Sequence, residues 1–330
     1  MSFRGTVAAM ARAGGMSQLI ELRPGAGERT HIDGVVLELR KLRAASQKSR
    51  YQGGPLPELP SRDAMINIVD ALVSVVYPRH FGPPGLRAGD LDDFIAKTLD
   101  ATSRSLDEQA RRELLLFSRN EDETPADLER RATAITREFI LELPRVRALL
   151  DTDIRAAFEG DPAAKSHDEI VFCYPGVAAV IRHRLAHQLY RLGVTMLARI
   201  VSEIAHSQTG IDIHPGAEIG EGFFIDHGTG VVIGETAVIG RRVRLYQAVT
   251  LGAKRFEADE NGALVKGRAR HPIIEDEVVI YAGATVLGRI TIGKGSSIGG
   301  NVWLTHGVPP GTNVTQAKAL SESFDNGGGI

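Results

Sequence analysis

The chain has 330 residues, of which 43% are hydrophobic, enough to bury a substantial core and to form two domains. Its formal net charge of −2 gives no reason to propose nucleic acid or an anionic membrane as a partner. A single cysteine excludes an internal disulfide framework, and no apolar run reaches the roughly twenty residues of a membrane span. These properties are typical of a cytoplasmic enzyme.

Helical signals dominate the chain after residues 1–30, which hold no convincing signal-peptide core and which we interpret as a flexible extension. Thr124, followed by proline, is typical of a helix N-cap, and the pattern that starts at Ser105 is typical of a capping box. Apolar residues recur at helical spacing, for example at Met65, Ile68, Val69, Leu72 and Val76. We therefore predict an α-helical domain over residues 31–205. Cys173, with apolar neighbours, is predicted to be a buried thiol.

The C-terminal third has an aliphatic residue at every sixth position, with one two-residue slip and one long interruption. Neither the period of a helix nor that of a simple strand predicts a strict six, which is typical of a parallel β-helix. We therefore predict an α+β chain in which a β-helix of hexapeptide repeats spans residues 206–316. The recurring positions are Ile213, Ile219, Ile225, Ile233, Ile239, Leu245, Leu251, Ile274, Ile280, Val286, Ile292, Ile298 and Leu304.

Chemistry is expected where the six-residue rhythm is broken, because a regular coil only builds scaffold. The register slips by two at 226–230, in the sequence Asp-His-Gly-Thr-Gly. Residues 253–272 are too many and too polar for a corner, so they are predicted to leave the β-helix as a protruding loop. The third place is the entry to the β-helix at 211–216. After residue 316 the repeats stop, and we predict a flexible tail over 317–330.

Four motifs in this region, taken in order, resemble those of the serine O-acetyltransferases. They are Asp-Ile-His-Pro at 212–215, Asp-His-Gly-Thr-Gly at 226–230, Ile-Gly-Glu-Thr-Ala at 233–237 and Arg-His-Pro at 270–272. The resemblance implies a left-handed parallel β-helix and the transfer of acetyl from acetyl-CoA to the hydroxyl of L-serine. The product, O-acetyl-L-serine, is the first intermediate of cysteine biosynthesis. The family also implies a homotrimer or a dimer of trimers.

The reaction needs a general base, since a serine hydroxyl is a poor nucleophile near neutral pH. His227 is the candidate, because histidine titrates close to that pH. Asp212 lies 15 residues earlier, and a coil of about eighteen residues would place it beside His227 as the carboxylate of an Asp-His pair. This matches the dyad of the family. By resemblance, His271 completes the catalytic set at the thioester.

The groups of L-serine itself predict the substrate-binding residues. Arg270 offers a planar fork for the carboxylate, while Asp161 and Asp226 can hold the ammonium. Alternatively, Arg270 and His271 are solvated loop residues, and Asp161 is only an N-cap before a proline. Because these residues are far apart along the chain, we expect the site to form between neighbouring subunits, as in the family's trimers.

By resemblance, acetyl-CoA lies along the β-helix near Gly252, Ala253 and Ala282. A lysine that some relatives carry at the position of Ser297 is absent. The phosphates of CoA are therefore left to other basic residues, of which the candidates are Lys294, Arg289, Lys254, Arg255, Lys266 and Arg268. We expect no bound metal. His183 and His187 have the spacing of a helical zinc pair, but no acidic general base lies between them.

The C-terminal residues are predicted to bind a partner. Three glycines precede Ile330, which ends the chain with an apolar side chain beside a carboxylate suited to capture by backbone amides. The family's tail is similar, and its terminal isoleucine enters the active site of O-acetylserine sulfhydrylase, also called cysteine synthase. The alternative is a frayed terminus without a task.

Three other functions compete with this interpretation. A hexapeptide acetyltransferase for a sugar or antibiotic hydroxyl would keep His227 but would not need an arginine and two aspartates arranged for an amino acid. A γ-type carbonic anhydrase would need three converging histidines, and the histidines here lack that spacing. A non-catalytic regulator of cysteine synthase would need only the tail, so the set of Asp212, His227, Arg270 and His271 argues against it.

Overall fold

The computed structural model describes residues 26–51, 56–117, 123–255 and 259–316. Two compact units divide the chain, Met1–Leu56 and Pro57–Ile330. The first contains one described helix, α1 (Ala26–Tyr51), whose large apolar side chains are exposed, for example Val35 and Leu42. The second contains the remaining helices and all the described strands. The predicted 1–30 extension falls largely, and the predicted 317–330 tail wholly, outside the described residues.

The helical part of the second unit packs its apolar stripes into a continuous core. Met65, Ile68, Val69 and Leu72 are at most 3% exposed, as their helical spacing predicts. No helix among the described residues is long and apolar enough to cross a membrane. The elements are α2 (Arg62–Val76), α3 (Pro78–Phe81), a 3-10 turn (Ala88–Asp90), α4 (Leu91–Phe117), α5 (Pro125–Gly160), α6 (His167–Cys173), α7 (Pro175–Arg191) and α8 (Thr195–Thr209).

Of the two predicted helix starts, one is confirmed and one is wrong. Thr124 caps α5, where its side chain and that of Asp127 bond each other's backbone amides. Ser105 begins no helix, because α4 runs unbroken through it and Glu108 instead pairs with arginines one turn later. The local pattern does not show whether the capping-box residues lie at the start of a helix or inside a helix that began earlier. Cys173 was also predicted wrongly: it is exposed, because α6 ends there on the surface.

The C-terminal half of the second unit is the predicted left-handed parallel β-helix. Its strands form three parallel sheets. The first sheet holds β1, β4, β7, β10 and β13, the second β2, β5, β8 and β11, and the third β3, β6, β9, β12 and β14. The strands are β1 (Asp212–Ile213), β2 (Glu218–Ile219), β3 (Phe224–Ile225), β4 (Val232–Ile233), β5 (Val238–Ile239), β6 (Arg244–Leu245), β7 (Thr250–Gly252), β8 (Ile273–Ile274), β9 (Val279–Ile280), β10 (Thr285–Leu287), β11 (Thr291–Ile292), β12 (Ser297–Ile298), β13 (Trp303–Leu304) and β14 (Asn313–Val314).

Strand pairing shows how the coils accommodate the two interruptions of the six-residue repeat. Val232 pairs with Thr250, 18 residues later, which is one regular coil. Asp212 pairs with Val232, 20 residues later, because the coil between them contains the two-residue slip. Val238 pairs with Ile273, 35 residues later, because the protruding loop lies between them. Both insertions therefore leave the coil at a corner and keep the ladder in register.

A buried ion pair attaches the helices to the first coil. Asp153 on α5 and Arg184 on α7 form two hydrogen bonds, of 2.6 and 2.8 Å, with side chains 2% and 5% exposed. The guanidinium also donates to the carbonyl of Gly220 at 2.8 Å, and the carboxylate accepts from the amide of Phe223 at 2.8 Å. The pair is thus bonded to the backbone of the first coil at Ile219, Gly220 and Phe223.

We predict that Asp153→Ala lowers the free energy of unfolding by about 3–5 kcal/mol, since it leaves the guanidinium of Arg184 buried without its anion. Urea denaturation followed by circular dichroism measures this change. The matched control is Asp100→Ala, which removes an exposed carboxylate from its pair with Arg104 on α4. It should cost about 1 kcal/mol or less. Equal losses in the two variants would contradict the docking role of the buried pair.

Candidate active site

His227 stands on the corner between β3 and β4, where the two-residue slip occurs. It adopts the left-handed conformation with φ 59°, and Gly228 follows at φ 83°. A side chain at Gly228 would collide with Ile211, because an added Cβ would lie 2.4 Å from its Cδ1 atom. The His227 side chain is 72% exposed. Strained backbone of this kind is frequent at functional sites.

Asp226 lies beneath His227 and binds an arginine that the sequence analysis did not select. Oδ1 of the buried Asp226 is 3.9 Å from Nε2 of His227, and Oδ2 accepts a hydrogen bond of 2.7 Å from Nη2 of Arg244. Arg244 begins β6, on the next coil. The signal that could have found it is the coil length at this point, 20 residues with the slip, which pairs Arg244 with Phe224 and places it close to Asp226.

Asp161 reaches the same corner from the C-terminal end of α5. Its carboxylate accepts hydrogen bonds from the hydroxyl of Tyr174 and, at 2.8 Å, from the amide of Ala163. The Tyr174 bond is the main reason why the pKa of Asp161 is lowered, and the charges of Arg244 and His227 lower it further. Burial and the bond to Asp161 raise the pKa of the Tyr174 hydroxyl. The carboxyl group of Asp161 is therefore ionised at neutral pH.

Asp212 lies in β1, where its carboxylate is close to two residues of α8. One of its carboxylate oxygens, a ring nitrogen of His206 and an oxygen of Glu203 lie within 4.8 Å of one another. These three groups could offer ligands to a cation, although Glu203 already pairs with Arg199 at 2.9 Å. The carboxylate that lies 3.9 Å from the His227 ring is that of Asp226. The pairing of Asp212 with His227 stays a prediction.

His271 ends the protruding loop and packs against the corner between β4 and β5. Its Nδ1 accepts a hydrogen bond of 3.0 Å from the amide of Thr236, so the neutral ring carries its proton on Nε2. Gly234 is required beneath it, because an added Cβ would lie 2.0 Å from Cδ2 of the ring. Burial, with the positive charge of Arg270, lowers the pKa of His271 to about 4. The imidazole is thus neutral at physiological pH.

Arg270 lies beside His271 and is held by an acid. Nη2 of Arg270 donates to Oε2 of Glu235 at 2.6 Å, and the other oxygen of Glu235 accepts from the hydroxyl of Tyr190 at 3.0 Å. Burial opposes ionisation of Glu235, but the bonds from Arg270 and Tyr190 outweigh it and lower its pKa. Arg289 donates to the carbonyls of Thr236 and His271 at 2.6 and 3.1 Å. Glu235 was visible only as part of a family motif, and Arg289 only as a phosphate candidate.

The predicted residues therefore fall on two different corners of one chain. The entry corner, where the chain passes from the third sheet into the first, carries His227 and Asp226, with Asp161 beside them. The exit corner, where the chain leaves the first sheet for the second, carries Arg270 and His271. The predicted cofactor residues divide in the same way, with Ala282 on the entry corner and Gly252 and Ala253 on the exit corner. The two groups therefore lie at opposite ends of the strands of the first sheet.

Residues 271–306 match the family model for the bacterial transferase hexapeptide (six repeats). A serine acetyltransferase encoded on a plasmid of Synechococcus elongatus is 60% identical over 275 residues, covering 82% of this chain and 86% of that protein. The serine acetyltransferase of Mycobacterium tuberculosis is 49% identical over 179 residues, covering 54% and 74%.

Two solved structures from Entamoeba histolytica share the fold. Serine acetyltransferase 1 in complex with L-cysteine has a TM-score of 0.66 at 37% identity, covering 76% of this chain and 86% of that one. Isoform 3 in complex with cysteine has a TM-score of 0.66 at 35% identity, covering 83% and 88%. With the motifs on the corners of a β-helix and a relative at this identity over most of its length, the chain belongs to the serine acetyltransferase family.

Proposed function

We propose that the protein transfers the acetyl group of acetyl-CoA to the hydroxyl of L-serine, which yields O-acetyl-L-serine for cysteine biosynthesis. The observation that carries this proposal is the entry corner, where an exposed imidazole stands beside two carboxylates, Asp161 and Asp226. A base next to a receptor for a cation suits an acceptor that bears both a hydroxyl and an ammonium. The names of the similar proteins support the same reaction.

His227 would act as the general base. It would take the proton of the serine hydroxyl as the oxygen attacks the thioester carbonyl carbon, forming a tetrahedral intermediate. Collapse of that intermediate breaks the carbon–sulfur bond, and the proton passes from the imidazolium to the departing thiolate of CoA. The exposure of the ring favours this role, because both substrates must reach it. In the predicted pair with His227, the carboxylate of Asp212 would stabilise the positive charge of the imidazolium.

The remaining groups of L-serine would be bound from both corners. The ammonium would lie between Asp161 and Asp226, and the carboxylate would be bound by Arg270. His271 is neutral with its proton on Nε2, so it could donate to the oxygen of the thioester as negative charge develops there. The solved relative with L-cysteine supports an amino-acid subsite, since cysteine has the same ammonium and carboxylate.

A second copy of the chain would complete the site. The two corners lie at opposite ends of the strands of the first sheet. For one serine molecule to contact both, the entry corner of one copy must therefore meet the exit corner of its neighbour. Head-to-tail contacts of this kind form a ring when the rotation between copies closes, as it would in a homotrimer or a dimer of trimers. The CoA moiety would follow the groove between the copies, past Gly252 and Ala253 of one and Ala282 of the other.

A different small hydroxyl acceptor is the alternative for the reaction. It would use His227 and the coils in the same way, but it would gain nothing from Asp161, Asp226 and Arg270. Measurement of thiol release from acetyl-CoA with L-serine, homoserine and a hexose as acceptors separates these cases. L-serine should be preferred, and an equal rate with the hexose would contradict the amino-acid subsite.

We predict that His227→Ala lowers turnover with L-serine by roughly two to four powers of ten, because the hydroxyl loses its base. Binding of acetyl-CoA should persist, as measured by calorimetry. His31→Ala is the matched control, since it removes an exposed histidine on α1, and it should leave turnover unchanged. Near-normal turnover in the His227 variant would remove this residue from the mechanism.

Partner binding by the tail is a separate proposal, and Ile330 lies outside the described residues. Its support is the sequence, with three glycines before an apolar C-terminal residue. Deletion of Ile330 should abolish binding of the full chain to O-acetylserine sulfhydrylase in a pull-down and leave acetyl transfer intact, whereas Ile330→Leu should retain most of the binding. Equal binding with and without Ile330 would contradict the proposal.

A further inference from the structure

We propose that Arg244 is a positioning residue of the amino-acid subsite, which neutralises one of its two carboxylates and directs the free oxygen of Asp226 toward His227. The role rests on the proposed function, because that function assigns Asp161 and Asp226 to the substrate ammonium. Arg244 is not among the residues that the family resemblance selects. It is identified here by its contacts alone.

Arg244 fixes the orientation of the Asp226 carboxylate. Its Oδ2 is occupied by Nη2 of Arg244 at 2.7 Å, while its Oδ1 lies 3.9 Å from Nε2 of His227. A charge-assisted bond of this length holds the carboxylate in one orientation. The oxygen left over is therefore the one that faces the candidate base, where an ammonium and its neighbouring hydroxyl would sit.

The surroundings hold Arg244 in this position. Its guanidinium carbon lies 4.6 Å from the ring centre of Tyr246 and 5.0 Å from that of Phe224. An added Cβ at Gly160 would lie 3.6 Å from Nη1 of Arg244 and 3.0 Å from the Phe224 ring, so the end of α5 closes over the group. The negative end of that helix favours a cation there. Only 23% of the Arg244 side chain is exposed.

Arg244 also balances the charge of the entry corner. Asp161 and Asp226 bring two negative charges, whereas an amino acid brings one ammonium and also a carboxylate that two free anions would repel. Arg244 reduces the net charge of the pair to −1, which matches a single ammonium. Among the described residues its buried Nε has no hydrogen-bond partner, so its polar contact is concentrated on Asp226. The charge of Arg244 also acts on Asp161, whose pKa it lowers.

Arg244→Met tests the role, since it keeps the aliphatic volume and removes the charge. The KM for L-serine should rise on the order of tenfold or more, with little change in the KM for acetyl-CoA. Arg244→Lys should recover part of the loss, because it restores the charge without the fork. In an Asp226→Asn background, Arg244→Met should have little further effect on the KM for L-serine, since the two residues act as a unit.

Arg242→Met is the matched control. Arg242 lies two residues away on the same coil and pairs with the exposed Glu277, so its loss changes the net charge equally without touching the corner. It should leave the KM for L-serine unchanged. Thermal unfolding of each variant checks that the coil is intact, and if Arg244→Met does not fold, Arg244→Lys and Arg244→Gln are compared instead.

Two results would overturn the role of Arg244. One is an active, folded Arg244→Met protein with the wild-type KM for L-serine. The other is a loss that is just as large in the Asp226→Asn background, which would mean that Arg244 acts through something else. A wild-type protein that fails to acetylate L-serine would instead defeat the proposed function, and the role of Arg244 with it.

Discussion

In-register stacking of short parallel strands is the constraint on which the rest of the structure depends. Each strand must lie against its partner on the next coil, so extra residues can leave the ladder only at a corner. The slip at 226–230 and the loop at 253–272 both obey this rule, and regular pairing resumes after each. Stacking then brings residues one coil apart in sequence into contact, as it does for Asp226 and Arg244.

The helical part contributes one carboxylate to the entry corner, and the buried ion pair explains how it is positioned. Asp153 and Arg184 fasten α5 and α7 to the backbone of the first coil. Asp161 follows Asp153 by two turns of the same helix and therefore arrives beside His227. The entry corner thus combines a carboxylate from the helical part with a carboxylate and a base from the β-helix. A change in the docking of α5 would move one carboxylate relative to the other.

Much of the fold could be predicted from the sequence, because the six-residue repeat arises from the stacking of one short strand per face of the β-helix. The same period correctly located both insertions. The false helix start at Ser105 and the exposed Cys173 show the limit of local sequence patterns. Whether a helix is already formed, and whether a side chain is buried, is decided by parts of the chain outside the local pattern. Arg244 and Glu235 were missed for the opposite reason. Each makes its contact with a residue of the neighbouring coil, which the lengths of the coils could have found but motif comparison did not.

Subunit complementation tests whether two corners on separate copies of the chain form one site, as we propose. His227→Ala damages only the entry corner, and Arg270→Ala damages only the exit corner. Differently tagged copies of the two variants are co-expressed, and mixed assemblies are purified through both tags and assayed with acetyl-CoA and L-serine. If the site is shared in a ring of three, mixed assemblies should regain about a third of the wild-type turnover, since one interface in three receives both intact corners. Mixed assemblies as inactive as either parent would contradict the account.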